Sequence, residues 1–232
     1  MRSLLLLGAG GLAREVIASI TTSGSYRVVG VLDDDASLHG RQLDGVPVIG
    51  HISQAALRDE QVLVCIEAGV ARERVVRRMT AAGVEQDRFA TCIDRAVCIP
   101  RGCVVGAGSI VLAGAVLTAS VMIGSHVVAM PSVVLSHDDV VADFATISAG
   151  ALVGGSVRVE RGAHLGMGSA VRQRLVVGEY STLGIGGVLV EDLPSYETWA
   201  GAPAQRLDGQ SLYDHHRPVR RAGLHLTSGG RS

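Results

Sequence analysis

The chain has 232 residues, a length that fits one large domain or two modest ones. Glycine takes 30 positions, near twice ordinary usage, while aromatics fall to 3% and hydrophobic residues reach 47%. With 19% charged residues and a net charge of −1, the composition argues against disorder. It also removes the electrostatic case for a nucleic-acid partner or an anionic membrane surface.

Every basic residue is arginine, so a catalytic or Schiff-base lysine is excluded. Cys65, Cys92, Cys98 and Cys103 form no CxxC pair, and no secretory signal is seen. Reduced thiols and a cytoplasmic location are therefore expected. No apolar run approaches the roughly 18 residues of a membrane helix.

In chain order, Ser3–Leu7 reads as a short strand running into Gly8-Ala9-Gly10-Gly11-Leu12-Ala13 and then a helix through Ile20. A second strand, Tyr26–Leu32, ends in Asp33-Asp34-Asp35. This is a βαβ unit with GxGxx(G/A) spacing and an acid twenty residues after Ala13. A strand at Val46–Gly50, a helical Ser53–Arg58, a strand Gln61–Ile66 and a helix Ala71–Ala82 complete a small α/β domain, placed at residues 1–92. Taken alone, the fingerprint predicts a dinucleotide, with the Gly8, Gly10 and Gly11 turn on pyrophosphate and Asp33 on a ribose. The unit is too short for two mononucleotide halves, however, and no hydride-transfer domain follows, so a smaller ligand is favoured.

From Ile99 the pattern changes. Stepping by six gives Ile99, Val105, Val111, Leu117 and onward to Leu189; fifteen of these sixteen positions are Ile, Leu or Val, and Ala129 is the exception. The next residue is often glycine or small, as at Gly106, Gly124, Gly154 and Gly166, and is expected at corners where a Cβ is unwelcome. Four residues after the aliphatic, small or β-branched residues recur, such as Ala115, Val121, Ala145 and Ser169. A six-residue period fits neither an amphipathic helix nor a simple strand. It predicts a three-sided coil, 18 residues per turn, with turns stacked at about 4.8 Å. The coil is placed at residues 93–206, with a tail at 207–232.

The hexads resemble the left-handed parallel β-helix of the hexapeptide-repeat acyltransferases, and that resemblance supplies the handedness. Together with the opening glycine turn, Asp33-Asp34, Val46-Pro47-Val48-Ile49-Gly50 and Gly201-Ala202-Pro203-Ala204, they make residues 3–207 similar to sialic acid O-acetyltransferases and UDP-amino-sugar acetyltransferases. The resemblance implies a front domain that cradles a sugar or nucleotide-sugar around Gly8, Gly10, Gly11, Asp33 and Asp34. It also implies a β-helix that forms a homotrimer, and acetyl-CoA in the groove between neighbouring coils.

Acyl transfer to an amine or hydroxyl needs a base on the nucleophile and a donor for the oxyanion. Of eight histidines, only His137 is followed by two acids, in Leu135-Ser136-His137-Asp138-Asp139, at a position that points away from the interior. The resemblance implies His137 as the base, Asp138 as the carboxylate that orients it, and the Gly155 N–H as oxyanion donor. The 18-residue turn stacks Gly155 directly on His137. By the same matching, Met167 and Ile185 line the coenzyme groove, with Gly201, Ala202 and Pro203 near the adenine. His126 and His164 are expected in structural roles, and His215 and His216 in a solvated tail.

Several positions depart from the family pattern: Leu12 and Thr146 stand where histidines are usual, Met130 where an asparagine is, and Ile66-Glu67-Ala68-Gly69 replaces an Ile-Gly-Asp/Asn-Asn phrase. These put the nucleotide-sugar in question more than the acyl transfer. No metal is expected. The alternatives are a metal enzyme on the same coil, as in gamma-type carbonic anhydrases, a dinucleotide-binding trimeric module, and a non-catalytic scaffold.

Overall fold

The structure is a computed structural model and describes residues 1–207. The tail motif Asp214-His215-His216-Arg217 lies outside the described residues.

The front domain begins with β1 (Arg2–Leu7), α1 (Gly11–Ser23) and β2 (Tyr26–Leu32), followed by β3 (Gln42–Leu43), β4 (Val46–Gly50), β5 (Gln61–Val64) and α2 (Gly69–Ala81). Their sheet order is β3-β4-β2-β1-β5, parallel except for β3 against β4. Leu4 to Leu7 are completely buried because both faces of β1 are covered. The chain leaves β1 for β2 on one side and later reaches β5 on the other. The crevice outside the carboxyl ends of β1 and β5 is therefore the topological switch point, where open α/β sheets take ligands.

After β6 (Cys92–Ile93), two-residue strands recur every six residues from Val104–Val105 to Val188–Leu189. Each ends on a hexad aliphatic. They sort into three parallel sheets, and every rung pairs with the one 18 residues away, as Met122 does with Val104 and Val140. The first face holds Val104–Val105, Met122–Ile123, Val140–Val141, Arg158–Val159 and Val176–Val177. The second starts at β6 and runs through Ile110–Val111 to Thr182–Leu183 and Thr198–Ala200; the third runs from Val116–Leu117 to Val188–Leu189. The aliphatics point inward with the residues four places on, forming one continuous core that includes Leu117, Val121, Leu135, Val157 and Leu165. Fully burying each such side chain is worth about 1.5–3 kcal/mol.

The corners differ from the expectation in one respect. The left-handed backbone falls not on the residue after the aliphatic but two places later, at Gly102, Gly108 and Gly114 and also at Ser120, His126, Asp138, Phe144 and Tyr180. The glycine directly after the aliphatic serves stacking instead. A Cβ on Gly106 would run into the Gly124 carbonyl of the next turn, and one on Gly154 would lie 2.7 Å from the Gln173 nitrogen.

The front domain covers the second face: Ile110, Leu112 and Val128 share a core with Leu4, Leu6 and Leu12. α2 docks on the corner between the first and second faces. There Arg72, with no exposed surface, donates to the carbonyls of His126 (2.7 Å), Ile66 (2.6 Å), Glu67 (2.7 Å), Phe144 (2.8 Å) and Ala145 (3.0 Å), and to Thr146 Oγ1 (3.1 Å). Burial lowers its pKa to about 9, so it keeps its charge at neutral pH. Beside it, Arg161 and the Tyr180 hydroxyl both donate to Glu73 at 2.8 Å. Burial pushes the Glu73 carboxyl up, but those hydrogen bonds and the charges of Arg161 and Arg77 outweigh it and hold the group below its usual range.

Candidate active site

His137 follows the third-face strand Val134–Leu135, on the corner leading to the first face. Asp138 there takes a left-handed φ of 61° and anchors the corner through its N–H to the Ala119 carbonyl at 2.9 Å. The His137 side chain is 65% exposed, with Nδ1 2.8 Å from Asp138 Oδ2. An ionised carboxylate can only accept, so this contact places the proton on Nδ1 and leaves the Nε2 lone pair free. Nε2 lies over Gly155: a Cβ built there would come within 2.5 Å of it. The Gly155 N–H donates to no acceptor among the described residues, while the N–H of its neighbour Ser156 bonds the His137 carbonyl at 2.8 Å. One corner thus offers a polarised imidazole and an open backbone donor, the two parts an acyl transfer requires.

Beneath them is a carboxylate that the sequence reading left without a role. Asp139 has no exposed surface; its Oδ2 accepts from Ser136 N at 2.8 Å and its Oδ1 from Val157 N at 2.9 Å. Burial raises its carboxyl to about 6 against the opposing pull of the two N–H groups and His137, with Asp138 pushing the same way as burial. The signal was present in the sequence: it is an acid in a row otherwise filled by residues such as Ala115, Val121, Ala145 and Ala151.

Met167 and Ile185 stack on a different corner, between the second and third faces, 55% and 72% exposed. Gly201, Ala202 and Pro203 are exposed beyond the same corner, where Val188 N bonds the Gly201 carbonyl at 2.9 Å. One chain therefore does not bring these residues to His137. His126 is buried on the corner under the front domain, edge-on to Phe89 at 4.9 Å and stacked on Phe144 at 5.1 Å. Burial first, then the charge of Arg72, lowers its pKa to about 4, so it is neutral. His164 lies on the second face with Nε2 3.0 Å from Ser148 Oγ. Among the described residues, no group of three or more His, Cys, Asp or Glu side chains is placed to hold a metal ion. No described helix is long and apolar enough to cross a membrane.

In the front crevice, Gly8 has φ 107°, and a Cβ would meet the Cys65 carbonyl at 3.0 Å, so only glycine fits. Gly10 and Gly11 face open space at the start of α1, which no side chain caps. Asp33 does not point outward as a ribose ligand should. Its Oδ2 accepts from Ala9 N at 2.7 Å and its Oδ1 from Asp35 N at 2.8 Å, tying the glycine turn to the acidic loop. Asp34 accepts from Arg78 at 2.8 Å and from Ile52 N at 3.2 Å, and lies 3.0 Å from His51 Nε2. Of the altered positions, Leu12 is buried in the front core, Met130 packs against that core, and Thr146 donates to the Glu67 carbonyl at 2.7 Å. Burial, then the charge of Glu67, raises the Glu15 carboxyl. These positions thus carry apolar Leu12 and Met130, with the acids Glu15 and Glu67 close enough to feel each other's charge.

Residues 3–79 match the PglD N-terminal domain family. A histidine-to-asparagine variant of perosamine N-acetyltransferase from Caulobacter crescentus, solved with CoA and GDP-perosamine, is 25% identical with a TM-score of 0.81, over 89% of this chain and 97% of that one. The acetyltransferase domain of PglB from Neisseria gonorrhoeae FA1090 in complex with acetyl coenzyme A is 28% identical, also at a TM-score of 0.81, over 89% and 99%. WeeI from Acinetobacter baumannii AYE, 24% identical at a TM-score of 0.73 over 89% and 100%, shares the fold. A Rossmann-like α/β domain followed by a left-handed parallel β-helix, matched over nearly the whole described chain, makes this protein similar to the hexapeptide-repeat sugar acetyltransferases.

Proposed function

We propose that this chain transfers an acetyl group from acetyl-CoA to an amine or hydroxyl of a sugar, carried on a nucleotide, with His137 as general base. The observation that carries the reading is the His137 ring itself: open to solvent, 2.8 Å from Asp138 on one nitrogen and over Gly155 with the other. The acceptor lone pair attacks the thioester carbonyl carbon while Nε2 takes its proton. Asp138 holds the tautomer and stabilises the imidazolium, and the Gly155 N–H meets the charge on the carbonyl oxygen. Collapse breaks the C–S bond, and the imidazolium returns the proton to the departing sulfur, leaving an amide or ester and free coenzyme A. The acceptor is assigned to the β1/β5 crevice at Gly8, Gly10 and Gly11. Asp34 lies on that rim, and Asp33 braces the turn.

The coenzyme is assigned to Met167, Ile185 and the Gly201-Ala202-Pro203 segment. Because these lie on another corner from His137, the reading requires a neighbouring copy, and a homotrimer fits it. A nucleotide-linked amino sugar is favoured over a free sugar because the perosamine enzyme binds GDP-perosamine and CoA. His137→Ala should lower kcat/KM by about a thousandfold with the fold intact, measured as thiol release from acetyl-CoA across a panel of nucleotide-sugars. Near-normal turnover would refute the assignment.

A further inference from the structure

We propose that Asp139 is a positioning residue: from inside the coil, its carboxylate holds the corner that carries His137 at a fixed height under Gly155. The inference rests on the reading of His137 as the base and adds a residue to it.

Two bonds define the device. Oδ2 takes the Ser136 N–H, the residue before His137, and Oδ1 takes the Val157 N–H, two residues after Gly155. A single buried side chain therefore spans the two backbone segments whose separation sets the distance from imidazole to oxyanion donor. The geometry at Ser136 bears the mark of this. Its N–H lies 3.3 Å from the Val153 carbonyl, longer than the equivalent bonds of Gly124, Gly154, Arg172 and Thr118, at 2.7, 2.9, 3.0 and 3.1 Å.

The coil itself shows that a carboxylate is not needed for stacking alone. In the equivalent hexad place on another corner, the neutral Ser109 hydroxyl accepts from Val127 N at 2.9 Å and does the same inter-turn service as Oδ1. Elsewhere in this row Val121, Ala145, Ala151 and Val157 fill the position. What the acid adds is its second oxygen, and that oxygen reaches only the His137 corner. An acid without a cationic partner in the interior opposes folding, and burial already presses it toward protonation. The adjacent turns present Val121 and Val157 to it; His137 and Asp138, on its own turn, are the ionisable groups whose charges reach it.

The full-length protein tests this with Asp139→Val and Asp139→Asn. Valine is a residue the coil accepts at this place, so Asp139→Val should melt no lower than the parent. Its KM for acetyl-CoA should stay within about twofold, while kcat falls about tenfold to a hundredfold, the cost of displacing a catalytic group by a fraction of an ångström to an ångström. Asp139→Asn keeps one acceptor oxygen and should fall between. Nitrogen-15 NMR of the His137 ring gives a readout independent of turnover: its Nδ1–H signal should shift or broaden in both variants. If the parent shows no acyl transfer but the ring signal still moves, the functional reading fails and the positioning role stands. A folded Asp139→Val with unchanged ring signals, or with parental kcat, overturns the proposal. Loss of folded protein in both variants overturns it too, since the acid would then be a fold residue.

Discussion

At the scale of single residues, Gly154 and Gly155 stand side by side on the third-to-first corner for different reasons. A Cβ at Gly154 would press on the Gln173 nitrogen at 2.7 Å and the Val171 carbonyl at 3.1 Å, both backbone atoms of the next turn. The three atoms nearest a Cβ at Gly155 all belong to the His137 ring, Nε2 at 2.5 Å, Cε1 at 2.6 Å and Cδ2 at 2.9 Å. A backbone cannot step aside cheaply, whereas an imidazole that is 65% exposed can rotate away. Gly155→Ala should therefore keep its melting temperature within a few degrees but lose about a hundredfold in kcat, because the ring must leave the place it holds over the N–H donor. Gly154→Ala should do the reverse, losing stability by about 1–3 kcal/mol as overpacked sites do. Paired thermal melts and thiol-release assays on the two variants decide this, and equal effects on both quantities would show that the ring has no preferred seat above Gly155.

Among the elements, α2 is what makes the front domain and the coil one body. Arg72 spends its donors on carbonyls from three separate segments, Ile66–Glu67, His126 and Phe144–Ala145. It therefore fixes the mouth of the front crevice against the corner of the coil. Removing the buried charge takes this donor from the Ile66, His126 and Phe144 carbonyls, while Glu67 keeps Thr146 and Ala145 keeps Val128 N, so Arg72→Met should cost about 3 kcal/mol or more. Its calorimetric melt should split into separate front-domain and coil transitions; a single transition at the parental temperature would mean that the apolar contact around Ile110 and Val128 suffices. This joint was invisible in the sequence because it joins residues such as Arg72 to Phe144 and Glu73 to Tyr180, with no spacing rule to link them. The hexads were legible for the opposite reason: stacking repeats one environment every six residues, and the aliphatics from Val105 to Leu189 each answer the same demand. Adjacency put two acids beside His137, and the choice of Asp138 as its partner came from the family resemblance; the ring lies 2.8 Å from that carboxylate. The left-handed corner was not legible, since Ser120, Phe144 and Tyr180 occupy it as well as glycines, held there by the ladder on either side. Asp33 has the spacing from the glycine turn that a ribose ligand would have, yet the short loop turns its oxygens back onto Ala9 and Asp35.

For the whole molecule, the distribution of apolar surface follows from which faces are covered. The front domain shields the second face, while the first leaves Val104 and Met122 outward, and the third leaves Val116, Leu152 and Val188, each between 36% and 53% exposed. These two faces meet at the corner of His137. Rows of aliphatics on adjacent flat faces are costly to leave in water and suit self-association about an axis along the coil. The same packing would bring the Met167 and Ile185 corner of one copy toward the His137 corner of another, which one chain cannot do. Leu152→Glu places a charge in the middle of the third face without touching His137, Asp138 or Gly155. It should convert the proposed trimer of the 24.0 kDa chain into monomers in sedimentation while preserving the strand signal in circular dichroism, and turnover should drop by at least tenfold. Full activity in a monomeric Leu152→Glu protein would place both halves of the site within one coil, and a trimer that resists the charge would move the seam to another face.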